Sequence, residues 1–252
     1  MQIVLIGSGN VATVLGRSIK QAGHQIVQVY SQQLAHAQTL ARELGSVAVD
    51  QLQQITQEAD LYILSVSDKA LPELAAQLHV KSMVVHTAGS VSIAVLKDSS
   101  PNYGILYPLQ TMRKEKLVYE NLPLLIDANT AENLALLQEF AQSLSPLVEK
   151  ATDNDRIKLH VAAVFVSNFT NHLYRLADDF CTQEHISFEF LKPLINETAQ
   201  RLNGHKPSEM QTGPAVRNDI PTINKHLDLL HNKPDLLHIY QVLTESIQSY
   251  NK

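Results

Sequence analysis

The order of apolar runs along roughly the first 150 residues is the feature that most limits the possible folds. Runs of strand length alternate with stretches of helical periodicity, a pattern typical of parallel βαβ units. Such units place helices on both faces of one sheet. The sequence therefore predicts an α/β fold with a doubly wound, mostly parallel sheet. Strands are expected in QIVLIG, QIVQVY, LYILSV, SMVVHT, YGILYP and PLLIDA, which start at residues 2, 25, 61, 82, 103 and 123.

The pattern becomes helical from Ala151 onwards. Acidic and capping residues precede about 25 residues of helical spacing without Gly or Pro, which predicts one long helix. We therefore expect two domains, an α/β domain at residues 1–150 and an all-α domain at residues 151–252. Further helices are expected from Ser187 to about Asn203, from about Pro214 to Leu230, and from Pro234 to Tyr250.

A glycine-rich loop follows the first strand directly. Gly7, Gly9 and Ala12 form a GxGxxA motif where a helix begins, near Asn10. Gly7 allows the tight turn, Gly9 lets the backbone approach a pyrophosphate, and Ala12 keeps the helix close to the strand. Unpaired N–H groups at the helix N terminus favour an anion, so Asn10 and Val11 join the predicted contacts. In this strand, loop and helix context the motif predicts a dinucleotide-binding Rossmann domain.

The end of the second strand bears on which dinucleotide is bound. An NAD-binding domain usually places an acidic residue there, on the ribose 2′-hydroxyl, but no Asp or Glu occurs between Gly9 and Glu43. Tyr30, Ser31 and Gln32 supply neutral groups instead. An uncharged pocket does not repel a 2′-phosphate, so NADP is favoured over NAD. No Arg stands at positions 31 to 33, and the other candidates for this contact are Arg17, His36 and Arg42.

Polar residues also follow the third long strand, at the sheet edge where ligands of open α/β folds bind. Ser65, Val66 and Ser67 are expected to contact the cofactor, partly through their backbone. Asp68 could join them, or it could cap the next helix.

Two later strands are expected to bring substrate contacts to the same edge. Thr87 and Ser90 place short hydroxyl groups beside the expected nicotinamide, although polar strand ends are common in any fold of this kind. Gln110 and Thr111 follow the strand that ends near Pro108 and complete this predicted set.

The predicted long helix carries a polar stripe. His160, Ser167 and Asn171 are seven and eleven residues apart, and at about 100° per residue they fall within about 20° of one another. Asn168 lies on the same side. In an otherwise buried helix this stripe suggests a catalytic set of His160, Asn168 and Asn171, with His160 as a proton donor, because imidazole titrates near neutral pH. His160 could instead contact substrate or cofactor, or be a structural residue.

Arg217 is the last candidate substrate contact. The segment TGPAVRND places it one or two turns into a helix that starts at Gly213-Pro214. Its guanidinium could bind a carboxylate through two hydrogen bonds, or it could equally pair with Asp219 or with a partner subunit.

Composition limits the remaining classes of function. The formal net charge is −5, without a long basic cluster, which argues against a nucleic-acid partner. One cysteine, Cys181, and scattered histidines give no predicted metal site. No apolar run approaches about 18 residues, and no basic leader precedes the first strand, so we expect no membrane span and a cytoplasmic location.

Several motifs together resemble a known family: GSGNVA, SVSDKAL, HTAGSVS, YPLQT, KLHVAAVFVSNFTNHLY and TGPAVRND. They are similar to Rossmann-like proteins named as NADP oxidoreductases, which carry an all-α C-terminal domain of unknown function. The resemblance extends more distantly to pyrroline-5-carboxylate reductases and to 6-phosphogluconate and β-hydroxyacid dehydrogenases. It implies an NADP-dependent redox activity and a homodimer formed through long helices.

The chain departs from these relatives at two places. Family members commonly have Arg after the Tyr-Ser of the second strand, where this chain has Gln32. The Lys and Asn that β-hydroxyacid dehydrogenases carry four residues apart are not reproduced, since Ala162 stands four residues after Lys158. The sequence thus favours an NADP(H)-dependent oxidoreductase acting on a small imine or carbonyl compound. The alternatives are a non-catalytic NADP(H)-binding sensor or scaffold, and an interaction protein that binds no nucleotide.

Overall fold

The central element of the fold is one eight-stranded sheet, seen in a computed structural model that describes residues 1–116, 119 and 121–250. The strand order is 3-2-1-4-5-6-7-8, and strands 1 to 6 are parallel. Strand 7 is antiparallel to strand 6 and parallel to strand 8. The predicted fold class is therefore confirmed. The strands are β1 Gln2–Ile6, β2 Gln25–Tyr30, β3 Val47–Val49, β4 Leu61–Leu64, β5 Met83–His86, β6 Tyr103–Pro108, β7 Leu124–Ala128 and β8 Val148–Lys150.

All six predicted strands are present, and two short strands were missed. β3 and β8 have three residues each and lie at the two edges of the sheet. Three residues are too few to show an apolar run of strand length or a clear alternation, so periodicity alone does not reveal these strands.

Nine α-helices accompany the sheet in the described part of the chain. A π-helical segment, Val164–Phe169, stands between the fifth and the sixth. The helices are α1 Asn10–Gln21, α2 Leu34–Leu44, α3 Leu71–Gln77, α4 Ala131–Leu144, α5 Asp153–Ala163, α6 Thr170–Gln183, α7 Lys192–Gln200, α8 Ile220–Leu230 and α9 Pro234–Tyr250.

The inner strands are buried on both faces, which explains their continuous apolar sequence. Every residue of β4 and β5 is buried, as are Ile3 to Ile6 of β1. One apolar cluster contains α1, α2 and α4 on one face of the sheet, and a second contains α3 on the other. Because β1, β2, β4, β5 and β6 are parallel, their carboxyl ends lie along the same edge of the sheet.

The chain divides into two compact units, Met1–Asn168 and Phe169–Lys252. The division falls inside the π-helical segment, so α5 belongs to the unit that contains the sheet. The start of α5 is fixed by a capping box, in which the Thr152 side chain accepts from the Asp155 N–H and Asp155 accepts from the Thr152 N–H.

Two helix predictions need correction. The predicted long helix is not regular, because the π-helical segment widens its turns between α5 and α6. The helix expected from Pro214 begins instead at Ile220, with Asp219 as its N-cap. Asn218 precedes that cap with φ 51°, a left-handed conformation that no helix interior contains. Arg217 therefore lies in the turns before α8.

Candidate functional site

The two glycines of the loop after β1 differ in why they are glycine. Gly7 has φ 122°, and a Cβ there would lie 2.1 Å from the Ser65 carbonyl oxygen. Gly9 has φ −80°, which any residue can adopt, and a Cβ there would meet nothing within 4 Å. The fold itself thus requires Gly7 but not Gly9. The open space at Gly9 fits a ligand that approaches the backbone closely.

The N terminus of α1 opens onto this space. Gly9 is the N-cap and provides no side-chain cap, and the first bond of the helix runs from the Thr13 N–H to the Gly9 carbonyl, 2.9 Å. Hydrogen bonds with the described residues leave the N–H groups of Asn10, Val11 and Ala12 unsatisfied. These donors and the glycine loop fit the pyrophosphate of a dinucleotide.

The end of β2 lies beside the glycine loop. The Gly7 N–H donates to the Tyr30 carbonyl at 2.9 Å, and the Ser8 hydroxyl donates to the Ser31 hydroxyl at 3.0 Å. Gln32 is exposed and uncharged. The predicted adenosine contacts therefore adjoin the predicted pyrophosphate contacts.

Of the cations considered for a 2′-phosphate, Arg17 is already engaged. It pairs with Glu43 and donates to the Lys114 carbonyl at 2.6 Å. His36, in the first turn of α2, and Arg42, in its last turn, are both exposed.

Loops after β4 and β5 are tied together by their side chains. Asp68 accepts a hydrogen bond from the Ser90 hydroxyl at 2.5 Å. The interpretation of Asp68 as a helix cap is wrong, because α3 has Ala70 at its N-cap. Thr87 is buried and its hydroxyl faces the Leu64 carbonyl at 3.5 Å. The Oγ of Ser65 is buried and has no partner among the described residues, so it remains available to a ligand.

A buried histidine lies at the end of β5. His86 has no exposed surface, and its Nδ1 accepts from the Ala88 N–H at 3.2 Å. Burial, and after it the nearby Arg156 guanidinium, lower the pKa of His86 to about 4, against a smaller opposing effect of the Asp153 carboxylate. The imidazole is therefore neutral at pH 7, with its proton on Nε2, which makes no hydrogen bond of normal geometry with a described residue.

Arg156 is the buried cation that sequence reasoning missed. Its guanidinium donates to the carbonyls of Ala151 and Val91, at 3.1 and 3.0 Å, and to Asp153 at 2.5 Å. Burial raises the pKa of Asp153, but hydrogen bonds from Ser92, Arg156 and Ile93 outweigh it and leave the pKa below its usual value. Arg156 thereby joins the start of α5 to the loop that follows β5.

A cavity of about 550 Å³ lies between the end of β6 and the helix that starts with α5. Its polar lining includes four predicted site residues, His160, Asn168, Gln110 and Thr111. The described residues that line it all belong to the first unit, and the others are Tyr107, Leu109, Leu159, Ala162, Ala163, Val164, Val166 and Ser167.

Two polar pairs bridge the strand end and the helix in this cavity. The Tyr107 hydroxyl lies 3.1 Å from Nδ1 of His160, and the Thr111 and Ser167 hydroxyls are 2.6 Å apart. Tyr107 was not singled out from the sequence, although its place at the end of a strand on the ligand edge could have indicated it.

The remaining predicted site residues lie elsewhere. Thr87 and Ser90 are engaged between strand ends, and neither is among the described residues that line the cavity. Asn171 and Arg217 belong to the second unit and are exposed. The alignment expected for Asn171 assumed a regular α-helix, and the π-helical segment changes the angle per residue between His160 and Asn171.

The helix that carries His160 is also less buried than expected. Val161, Phe165 and Val166 are 52%, 62% and 76% exposed. The idea of a polar stripe on an otherwise buried helix is therefore wrong for the single chain.

Comparison with known families shows which family the chain belongs to. A model described as a Rossmann-like domain matches residues 1–109, and a model described as a domain of unknown function, DUF2520, matches residues 122–247. The chain is 38% identical to a protein of Bacteroides fragilis described as a "putative NADP oxidoreductase", with a TM-score of 0.92 over 98% of each chain. The protein belongs to the family of Rossmann-like proteins with a C-terminal DUF2520 domain, which confirms the predicted resemblance.

More distant solved structures share the fold. A 1-pyrroline-5-carboxylate reductase of Streptococcus pyogenes is 15% identical, with a TM-score of 0.68 over 99% of this chain and 98% of the other. An imine reductase of Myxococcus stipitatus in complex with NADP+ is 14% identical, with a TM-score of 0.65 over 99% and 92%. No curated protein matches the chain. Within the described residues, no helix is both long and apolar enough to cross a membrane.

Proposed function

We propose that the protein is an NADP(H)-dependent oxidoreductase that reduces a small imine or carbonyl compound. The observation that carries the proposal is the cavity in which the Tyr107 hydroxyl and His160 meet, at the same sheet edge as the glycine loop. A reduction of this kind needs a cofactor site and a proton donor near each other.

The cofactor contacts come from the first unit. Gly7, Gly9 and the N–H groups of residues 10–12 would bind the pyrophosphate, and Ser65 Oγ offers an unused hydrogen bond farther along the edge. Tyr30, Ser31 and Gln32 would face the adenosine ribose, and Val66 and Ser67 would add contacts beside Ser65. When bound, NADPH would supply the hydride.

The preference for NADP over NAD rests on the neutral segment after β2. Ser31, Gln32 and Gln33 carry no carboxylate, so nothing in this segment repels a 2′-phosphate. The exposed His36, one turn farther on, could donate a hydrogen bond to this phosphate.

We further propose a cytoplasmic homodimer, formed through the helical unit, whose partner is a small molecule rather than nucleic acid. The supporting observation is apolar surface that the single chain leaves exposed, for example Phe190 and Leu194. The net charge of −5 is consistent with the absence of a polyanionic partner.

Binding and turnover of NADPH test the proposal together. We expect calorimetry to show NADPH binding, and the wild-type protein to oxidise NADPH with at least one member of a panel of cyclic imines, ketones, ketoacids and sugar acids. Gly9→Asp should abolish binding, because a carboxylate would occupy the space for the pyrophosphate. The matched control is Gly204→Asp in the second unit, where a Cβ also meets nothing within 4 Å.

The outcomes separate the candidate functions. Binding without turnover across the panel would favour the sensor or scaffold over the enzyme. Equal NADPH affinity in the Gly9→Asp variant and the wild type would contradict the cofactor site itself.

A further inference from the structure

We propose that Tyr107 is the proton donor of the reaction, held in place by Gly89 beside its ring and by His160 at its hydroxyl. The assignment rests on the proposed function and differs from the sequence prediction, which made His160 the donor. The observations that carry it are the close packing of the ring against a glycine and the distance to His160.

Gly89 is required by the tyrosine ring and not by its own backbone. A Cβ at this position would lie 2.6 Å from Cζ and 2.9 Å from the hydroxyl oxygen of Tyr107. The φ of Gly89 lies outside the left-handed region, so an L-residue could adopt its conformation. The missing side chain therefore leaves the room in which the phenol packs closely against the loop after β5.

That loop is itself fixed from two sides. Asp68 accepts from Ser90, the neighbour of Gly89, at 2.5 Å. The buried Arg156 donates to the Val91 carbonyl at 3.0 Å. Gly89 thus directly precedes two anchored residues, Ser90 and Val91, which restrict its position and with it that of the Tyr107 ring.

His160 places the other end of the phenol. Its Nδ1 is 3.1 Å from the Tyr107 oxygen, and the two rings are tilted by 58°. A proton on Nδ1 would be donated to the phenol oxygen, which leaves the Tyr107 O–H free to point at a substrate. His160 is half-buried and can exchange its proton with solvent.

The electrostatic surroundings keep the phenol protonated. Burial raises the pKa of Tyr107, the Asp68 carboxylate raises it further, and the Arg156 guanidinium opposes them. Tyr107 therefore carries its proton at neutral pH, the state that a donor needs.

The proton step balances with the hydride step. The C=N or C=O carbon gains the hydride that NADPH supplies, and the nitrogen or oxygen takes the proton from the Tyr107 O–H. The phenolate that remains takes the Nδ1 proton of His160 while Nε2 takes a proton from solvent, so the imidazole stays neutral. The products are an amine or alcohol and NADP+.

The choice of probe follows from the cavity lining. Its described residues include no Asp, Glu, Lys or Arg. The probes for the test are therefore 1-pyrroline and cyclohexanone, which carry no carboxylate. The turnover of 1-pyrroline is compared with that of 1-pyrroline-5-carboxylate, which carries one.

The experiment measures turnover and NADPH affinity in matched variants of the full chain. In Tyr107→Phe we expect kcat to fall about 100-fold or more, since general acid catalysis contributes that much, while NADPH affinity stays within about twofold. The control is Tyr103→Phe, a half-buried tyrosine on the same strand that is not among the described residues of the cavity. Its kcat should stay within about twofold of wild type.

Two further variants separate donor from positioning residues. Gly89→Ala should lower kcat by roughly tenfold or more because it displaces the ring, again without loss of NADPH binding. His160→Gln should retain more activity than Tyr107→Phe, and its pH profile should shift. In the NMR spectrum, Tyr107→Phe should move the Nδ1 resonance of His160, which Tyr103→Phe should leave in place.

The results distinguish failure of this assignment from failure of the function. If the wild type oxidises no NADPH with any probe, the proposed function is wrong and the donor assignment falls with it. If the wild type is active and Tyr107→Phe keeps its kcat, the donor assignment alone is wrong. A larger loss in His160→Gln than in Tyr107→Phe would make His160 the direct donor.

Discussion

The two compact units bury their apolar side chains to very different degrees. In the unit Met1–Asn168 the inner strands are covered on both faces, and Ile3, Leu61 and Val85 are fully buried. In the unit Phe169–Lys252 the buried apolar residues are few among those described: Cys181, Ala215, Ile223 and Leu230. Large side chains there stay exposed, with Phe190 at 81% and Leu229 at 66%.

This difference indicates that the sheet of the first unit has a complete core, whereas the second unit leaves much of its apolar surface uncovered, as does the helical end of the first unit, where Val166 is 76% exposed. The second unit also contains an apolar cavity of about 420 Å³ between α6, α8 and α9, lined by residues such as Leu173, Phe180 and Leu236. Contiguous exposed apolar surface is typical of an interface. We therefore expect first-unit variants to act on stability and cofactor binding, and second-unit variants to act on assembly.

The largest expected effect is that of Gly7→Ala, which tests the self-contained core of the first unit. A methyl group 2.1 Å from the Ser65 carbonyl oxygen, at φ 122°, should force apart the segments that follow β1 and β4. We expect the free energy of unfolding to fall by about 4 kcal/mol or more, the sum of backbone strain and overpacking. Chemical denaturation followed by circular dichroism measures it.

Gly204→Ala in the second unit is the control, because it meets no atom within 4 Å. Its unfolding should match that of the wild type. An equal loss of unfolding free energy in Gly7→Ala and Gly204→Ala would contradict the idea that the core of the first unit depends on the close approach of Gly7 to Ser65.

The second prediction concerns pH and the buried His86. Its folded pKa, about 4, lies below the unfolded value of 6.5, so the unfolded state binds more protons between these values. Stability should therefore fall by about 3 kcal/mol as the pH drops from 6.5 to 4, and this contribution should fall no further below pH 4. His86→Gln should flatten the dependence.

Hydrogen exchange can assign the acid response to a unit. On acidification from pH 6.5 we expect protection, corrected for intrinsic exchange, to fall first in β4 and β5, around His86. Acid opening confined to α6 to α9 would contradict this assignment to the first unit.

The same contrast explains what the sequence could predict. Long apolar strands and the GxGxxA loop follow periodic and local rules, so β1, β2 and the pyrophosphate contacts were predictable. The cavity was partly predictable, since four of its lining residues were named from the sequence: His160, Asn168, Gln110 and Thr111. Tyr107 and Gly89 were not, because their relation depends on a contact between β6 and the loop after β5, which no local pattern encodes.

Irregular backbone explains the errors in the helical part. The π-helical segment interrupts the regular spacing on which the predicted alignment of Asn171 with His160 depended, and the left-handed Asn218 delays the start of α8 beyond Arg217. Periodicity arguments assume a constant angle per residue, and both features violate that assumption.

The third prediction tests whether the exposed face of the second unit forms the proposed dimer. Phe190→Asp would place a carboxylate on this face, and we expect the dimer dissociation constant to rise about 100-fold, equivalent to roughly 2.7 kcal/mol. Sedimentation equilibrium measures it. The control is Leu136→Asp, an exposed apolar position on α4 of the first unit. A monomeric wild type at micromolar concentration, or equal dissociation of both variants, would count against this interface.

The smallest expected effect is that of Gln32→Arg, which tests the cofactor edge of the first unit without touching its core. Gln32 is exposed beside Ser31, which contacts the glycine loop through Ser8. A guanidinium there could form two hydrogen bonds with a 2′-phosphate, so the ratio of NADPH to NADH affinity should rise about tenfold, or roughly 1.4 kcal/mol. Calorimetry with both cofactors measures the ratio, and the oligomeric state should not change.

The control for Gln32→Arg is Gln38→Arg on the exposed side of α2, which adds the same charge farther along the chain. An equal gain in both variants would mean that net charge rather than position sets the preference, and no gain in Gln32→Arg would place the 2′-phosphate contact elsewhere, with His36 the next residue to substitute.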